Sequence, residues 1–149
     1  MSALALSGVS FAADAKDAAG SKKPYDITSD SLEVTKEEIV FVGNVKVLYN
    51  EIKINADNVK LLHETKDEKS VVKTIIATGN VNLLESDREA WAGKMVFERG
   101  TGVITLTGDP KIKENNNIVA ADTITVFLNE DKVAFKGNVK AVINPEDIK

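Results

Sequence analysis

From Tyr25 to Ile143 the chain places apolar residues at every second position in short stretches, as in Val45 and Val47, Val59 and Leu61, Met95 and Phe97, and Ile124 and Val126. A period of two puts successive side chains on opposite faces of a strand, whereas a helix would need a period near 3.6. The pattern therefore predicts strands of about 5–8 residues separated by short turns, roughly 15 in all. One face of each is aliphatic, and the other carries Lys, Glu, Asp, Asn and Thr.

Two short elements punctuate the alternation and answer each other. One is led by glycine: Gly43-Asn44-Val45-Lys46-Val47, Gly79-Asn80-Val81-Asn82-Leu83, Gly108-Asp109-Pro110-Lys111-Ile112 and Gly137-Asn138-Val139-Lys140-Ala141. The other opens on Ser29-Asp30, Ala56-Asp57, Ala92-Gly93 and Ala121-Asp122. Gly43 to Asp57, Gly79 to Gly93 and Gly108 to Asp122 are each 14 positions apart, which marks one small β unit repeated along the chain. Glycine at these points takes the positive φ of a hairpin turn or bends a strand around a corner, and either reading changes the chain's direction. The Asp favours the same corner by bonding nearby backbone amides, so its expected role is structural rather than catalytic. The interval from Asp57 to Gly79 is 22 positions, against 15 in the two later repeats. The excess falls in the charged run from His63 to Ser70, which reads as a long hairpin tip in solvent. The series starts on the Asp-type element and finishes on the Gly-type element, which would leave its last unit half complete.

Composition narrows the function classes. Abundant Val, Ile and Thr, few aromatics and three prolines over 149 residues fit one sheet domain with a thin aliphatic interior. The 19 basic and 23 acidic residues are dispersed, with no basic run interleaved with aromatics, so no nucleic-acid partner is expected. The chain has no cysteine, hence no disulfide or thiolate metal site. Residues 1–23 differ in kind. Ser2 to Ala12 is small and apolar and ends in Ser10-Phe11-Ala12, a small-x-small site, and the following segment is rich in Ala, Lys and Asp. This reads as a signal-peptide remnant and a disordered polar leader, although no Lys or Arg precedes the apolar stretch. Nothing reaches the roughly 18 apolar residues of a membrane span.

Candidate chemistry is sparse. His63 is the only histidine and lacks a second His or Cys to share a metal, so a surface position is expected and no metal site is assigned. No serine has a histidine partner in a recognisable motif, and no nucleotide-binding glycine motif occurs; no catalytic residue is assigned and the protein is not expected to be an enzyme. Trp91 and Tyr49 are candidate binding aromatics, with packing as the plainer role.

The opening Lys23-Pro24-Tyr25-Asp26-Ile27-Thr28-Ser29-Asp30, the step Phe41-Val42-Gly43-Asn44-Val45, and above all Ile52-Lys53-Ile54-Asn55-Ala56-Asp57 resemble the LptA/OstA family. Its members are periplasmic proteins that carry lipopolysaccharide from the inner to the outer membrane of Gram-negative bacteria. The likeness covers nearly all of Pro24 to Ile143. The periplasmic region of LptC and the N-terminal domain of LptD share the repeat, but those would bring a membrane anchor and a long barrel respectively, so the LptA-like member is favoured. The resemblance implies an all-β fold, an OstA-like antiparallel β-jellyroll forming a V-shaped trough over residues 24–144, with a short tail at 145–149. It also implies the periplasm as location, no cofactor, and transport energy supplied by an inner-membrane ATPase complex.

Lipid A acyl chains of lipopolysaccharide would lie between the sheets. The expected contacts are Tyr25, Ile27, Val45, Val47, Ile54, Val59, Leu61, Leu84, Met95, Phe97, Ile124 and Val126. Exposed sheet edges invite strand addition. Ile27 and Leu32 at one end, and Val139, Ala141 and Ile143 at the other, are the expected edge residues for head-to-tail self-association. The resemblance implies an LptC-like inner-membrane partner at the N-terminal edge and an LptD-like outer-membrane partner at the C-terminal edge. Two rival readings are a parallel β-solenoid, which the uneven 22-position interval fits poorly, and a ligand-free assembly module with a dry core, polymerising through its edges.

Overall fold

The structure is a computed structural model that describes residues 24–145. The expected leader over residues 1–23, and all of the expected tail but residue 145, lie outside the described residues. Twelve strands follow one another: β1 (Asp26–Thr28), β2 (Ser31–Val34), β3 (Glu38–Tyr49), β4 (Ile52–Lys66), β5 (Lys69–Glu85), β6 (Arg88–Glu98), β7 (Val103–Thr107), β8 (Lys111–Glu114), β9 (Asn117–Ala120), β10 (Thr123–Phe127), β11 (Lys132–Lys136) and β12 (Lys140–Val142). Every pairing among them is antiparallel, which removes the solenoid reading.

The count is twelve and not about fifteen because four strands run straight through the expected turns. β3, β4, β5 and β6 are 12, 15, 17 and 11 residues long. Each pairing among them slips in register near the middle, between Val42 and Val45, between Asn55 and Asn58, and between Thr78 and Val81, and the β4–β5 ladder slips a second time between Leu62 and His63. Each slip is a bulge that bends the strand. One half of each long strand thus belongs to sheet I and the other to sheet II. Sheet I holds β1, residues 45–49, 52–56, 81–85 and 88–92, then β8, β9 and β12. Sheet II holds β2, residues 38–42, 58–66, 69–78 and 94–98, then β7, β10 and β11. The line of bends is the apex of the trough, and the hairpin tips form its mouth.

The glycine elements are these bends, not hairpins. Gly43-Asn44, Gly79-Asn80, Gly108-Asp109 and Gly137-Asn138 all have both residues at positive φ, 79 to 87° for the glycines and 44 to 54° for the residues after them. Glycine adopts this freely and Asn or Asp tolerates it. Each glycine is answered by the Asp-type element that precedes it in sequence. The Asp30 amide donates to the Gly43 carbonyl, that of Asp122 to Gly137, and that of Gly93 to Gly108, at 2.8 to 3.0 Å. Asn44 Nδ2 donates to Asp30 Oδ2, Asn80 to Asp57 and Asn138 to Asp122, at 3.1, 3.1 and 2.9 Å. A Cβ on Gly43, Gly79 or Gly137 would stand 2.5 Å from that same carboxylate oxygen. Glycine is therefore required twice over, by backbone conformation and by the carboxylate packed against it. Because each Asp pairs with the following glycine, the series closes into four complete corners, which corrects the expectation of a half-finished last unit.

The charged run is the exposed tip of a long hairpin, as expected, with its strands paired to the turn. β4 and β5 continue to Lys66 and Lys69, joined by Asp67 and Glu68 at φ 53 and 65°, the signature of a tight two-residue hairpin turn. His63 lies within it, with Ser70 Oγ 2.9 Å from its Nδ1.

Candidate apolar groove

Registers fix which side chains face inward. In sheet I the row Ile27, Val47, Ile54, Leu83, Ala90, Ile112, Val119 runs across the strands, and in sheet II the rows through Val59, Ala77, Met95, Leu106, Ile124 and through Leu61, Ile75, Phe97, Ile104, Val126 do the same. Between these faces lies a groove. One cavity of about 70 Å³ is lined almost wholly by carbon, and a second of about 40 Å³ shares Ile52, Leu83, Ile104 and Leu128 with it. Glu85 and Arg88 stand at the lip of the second, 4.0 Å apart.

Most of the expected contact residues converge here. Tyr25, Ile27, Val47, Ile54, Val59, Leu61, Met95 and Phe97 line the first cavity, and Val126 lines the second. Val45 and Ile124 face the same interior but are 1% and 0% exposed and line neither cavity, so they are dry core close to the apex. Leu84 is on the wrong face. It pairs with Lys53 and Glu89 on the outer side of sheet I, and its neighbour Leu83 takes the interior place. In a Leu-Leu pair both residues satisfy an apolar pattern, and only the register decides between them.

Sequence alternation also passed over Ile52, Ile75, Ile104 and Leu128, which line the groove. The first three follow from continuing the period of two to the strand ends. Leu128 lies in the turn after β10, held by a 3.0 Å bond from its amide to the Gly102 carbonyl, and it carries the Ile124, Val126 alternation one step past the end of the strand. Of the two candidate aromatics, Tyr49 lines the groove and packs on Tyr25 with ring centroids 4.7 Å apart. Burial pushes its phenol above the ordinary value of 10.0, against a smaller lowering by a hydrogen bond with Asn50. Trp91 is on the outer face, with Lys111 Nζ 5.1 Å from its ring centroid.

The edges are built from short strands. β1 and β2 flank β3 on one side, and β11 and β12 end the two sheets on the other. Ile27 and Leu32 face inward there rather than outward. Val139 and Ile143 are about half exposed, and Ala141 is exposed.

A family described as the LptA/(LptD N-terminal domain) LPS transport protein matches residues 26–132. The chain belongs to this family. The lipopolysaccharide export system protein LptA of Escherichia coli K12 is 28% identical over 127 residues, which is 80% of this chain and 69% of that protein, and the LptA of Shigella flexneri matches equally. Among solved structures, LptH of Pseudomonas aeruginosa, described as the LptA-homologous periplasmic component of the lipopolysaccharide transport device, superposes with a TM-score of 0.74. That match has 15% identity and covers 83% of this chain and 97% of LptH, so it speaks for the fold. This chain thus shares the fold of LptH, and the four corners are how it builds that fold.

Proposed function

We propose that this LptA-family protein is a periplasmic carrier that holds the acyl chains of lipopolysaccharide in the groove between its sheets and bridges inner and outer membranes. The observation that carries the reading is the groove itself: two adjoining cavities that share four aliphatic lining residues, the first with almost no polar atom in its wall and the second bordered by Glu85 and Arg88. Each methylene that leaves water contributes about 0.8 kcal/mol, so a few partly buried chains bind firmly without a charged anchor. Lipid transfer of this kind is non-covalent, and the protein's part is shielding rather than chemistry. The phosphorylated sugar head stays at the mouth, near Glu85 and Arg88.

Strand addition at the edges supplies the bridge. The N-terminal edge, β1 and β2, takes an LptC-like partner, and the C-terminal edge, β11 and β12, takes an LptD-like partner or the N-terminal edge of a second copy. Support comes from the apolar side chains left on these edges, Val34 on one and Val139, Val142 and Ile143 on the other. A heterologous contact of this sort does not close and extends the trough.

The ligand-free assembly module remains as a rival because the groove in this conformation is small. A photo-crosslinking residue at Phe97, which lines the groove, and another at exposed Lys94 separate the two readings. With purified protein, lipopolysaccharide adducts at Phe97 and none at Lys94, with a phospholipid control unlabelled, support the carrier. A folded protein with no adduct at Phe97, or with equal labelling at both, leaves the assembly module.

A further inference from the structure

The four corners are not alike, and the odd one is the third, where β6 passes from one sheet to the other. Three carry the same side-chain clasp, an Asp carboxylate wedged against the glycine and held by the Asn that follows it. At the third, Gly93 replaces the Asp and Asp109 replaces the Asn. The backbone bond from Gly93 to Gly108 is kept at 3.0 Å, but no side chain spans the corner. In its place the outer surface has a depression of about 310 Å³ bordered by Asn80, Trp91, Gly93, Gly108 and Asp109. The two changes belong together: an Asp at position 93 would face the carboxylate of Asp109 where the other corners offer an amide, and like charges repel.

The groove needs a hinge. Its cavities, about 70 and 40 Å³, are well below the roughly 300–1,000 Å³ of sites that enclose drug-sized ligands. Acyl chains enter only if the sheets part at the mouth, and the sheets are joined at the apex, where bends must change. A clasped bend resists this because the Asn is pinned to the carboxylate. An unclasped bend with glycine on both sides gives way first. Gly93 is also the midpoint of β6, which carries Phe97 and Met95 into the groove on one side and Ala90 on the other.

We propose that the Gly93 and Gly108-Asp109 corner is the hinge about which the two sheets open to admit lipid, so that these residues set how wide the trough gapes. This rests on the carrier reading. The absence of cysteine from the chain makes distance measurement direct. Spin labels at Asp87→Cys and Gly100→Cys sit at the hairpin tips on either side of β6 and span the mouth over the third corner, and a Cβ at Gly100 meets nothing within 4 Å. Labels at Glu51→Cys and Asp67→Cys span the ends of β4 over a clasped corner.

In the protein without lipid, the 87–100 distance distribution should be broader than the 51–67 one. It should lengthen on adding purified lipopolysaccharide. The double change Gly93→Asp with Asp109→Asn rebuilds the missing clasp, and a Cβ at Gly93 stands 3.3 Å from the Gly108 Cα, tight but without positive φ. It should narrow the 87–100 distribution and lower Phe97 crosslinking to lipopolysaccharide several-fold, while Gly93→Asp alone melts earlier than the double change. Should the double variant fail to fold, Asn80→Ala, which frees the second corner, is the converse test and should broaden the 51–67 distances. Equal widths for the two pairs in the lipid-free protein, or a folded double variant that takes up lipid like the parent, would overturn the hinge and leave the carrier reading standing. Loss of Phe97 adducts in the parent would sink the carrier reading instead, with the lipid-free widths still deciding whether the corner bends.

Discussion

The first half of the trough, β1 to β6, and the second, β7 to β12, solve the same geometric problem differently. In the first, after the short edge strands β1 and β2, the strands β3 to β6, of 11 to 17 residues, pass through the corner and contribute to both sheets. In the second, every strand is 3 to 5 residues long and the chain leaves the ladder at each corner, at Gly108, Asp122 and Gly137. Burial follows this division only at its far end: Leu106 and Ile124 on β7 and β10, at 2% and 0% exposure, are as covered as Ile39, Val59 or Met95 of the first half, whereas Phe135 and Val133 on β11 are only partly covered. A continuous bent strand couples the sheets through its own backbone, so opening one half of it strains the other. Interrupted strands are coupled only through corner bonds and side chains. The same repeat therefore yields a stiff half and a softer half, with the unclasped third corner at their junction.

The largest expected contrast is at the corner glycines. Gly79→Ala places a methyl group 2.5 Å from the Asp57 carboxylate at a φ of 83°, and should cost about 3 kcal/mol or more in urea unfolding. Gly137→Ala meets the same carboxylate distance at Asp122. There the interrupted strands give way locally, and about half that loss is expected. Equal losses would remove the distinction between the halves. Next in size, Met95→Ala in the stiff half should destabilise by about 3 kcal/mol, and Phe135→Ala, already partly solvated, by about 1–2 kcal/mol. Amide exchange sharpens the comparison without mutation: protection in the paired amides of β4 and β5 should approach the global unfolding free energy, and that of β9 and β12 should fall well short of it.

The smallest effect is a titration. The Tyr49 phenol is raised by burial in the stiff half, so its neutral form is favoured by folding. The stability this contributes is fully present below the ordinary value of 10.0 and is lost as pH rises through the raised value. Absorbance of tyrosinate against pH should show Tyr49 titrating after an exposed tyrosine would, and lipid in the groove should delay it further.

What alternation determines, and what it leaves open, can be read from single residues. The β class, the inward rows through Val47, Val59, Met95 and Phe97, and the bends at the Gly-Asn and Gly-Asp pairs were set by a period of two and by the conformational freedom of glycine, both local properties, whereas the antiparallel pairing was implied only by the family resemblance. Leu83 and Leu84 are equally apolar, and only cross-strand register put the first inside and the second out. The repeat spacing marked where the chain bends but not that Asp57 reaches Gly79 rather than Gly43, because that choice is made between strands. Ile27 and Leu32 belong to edge strands and yet point inward, a distinction between backbone edge and side-chain face that no one-dimensional pattern carries. Sequence alone determined the strands, their apolar faces and the bends. The pairing of neighbours across space decided the rest: which apolar side chains meet around the groove, which corners are clasped, and which single corner is free to open.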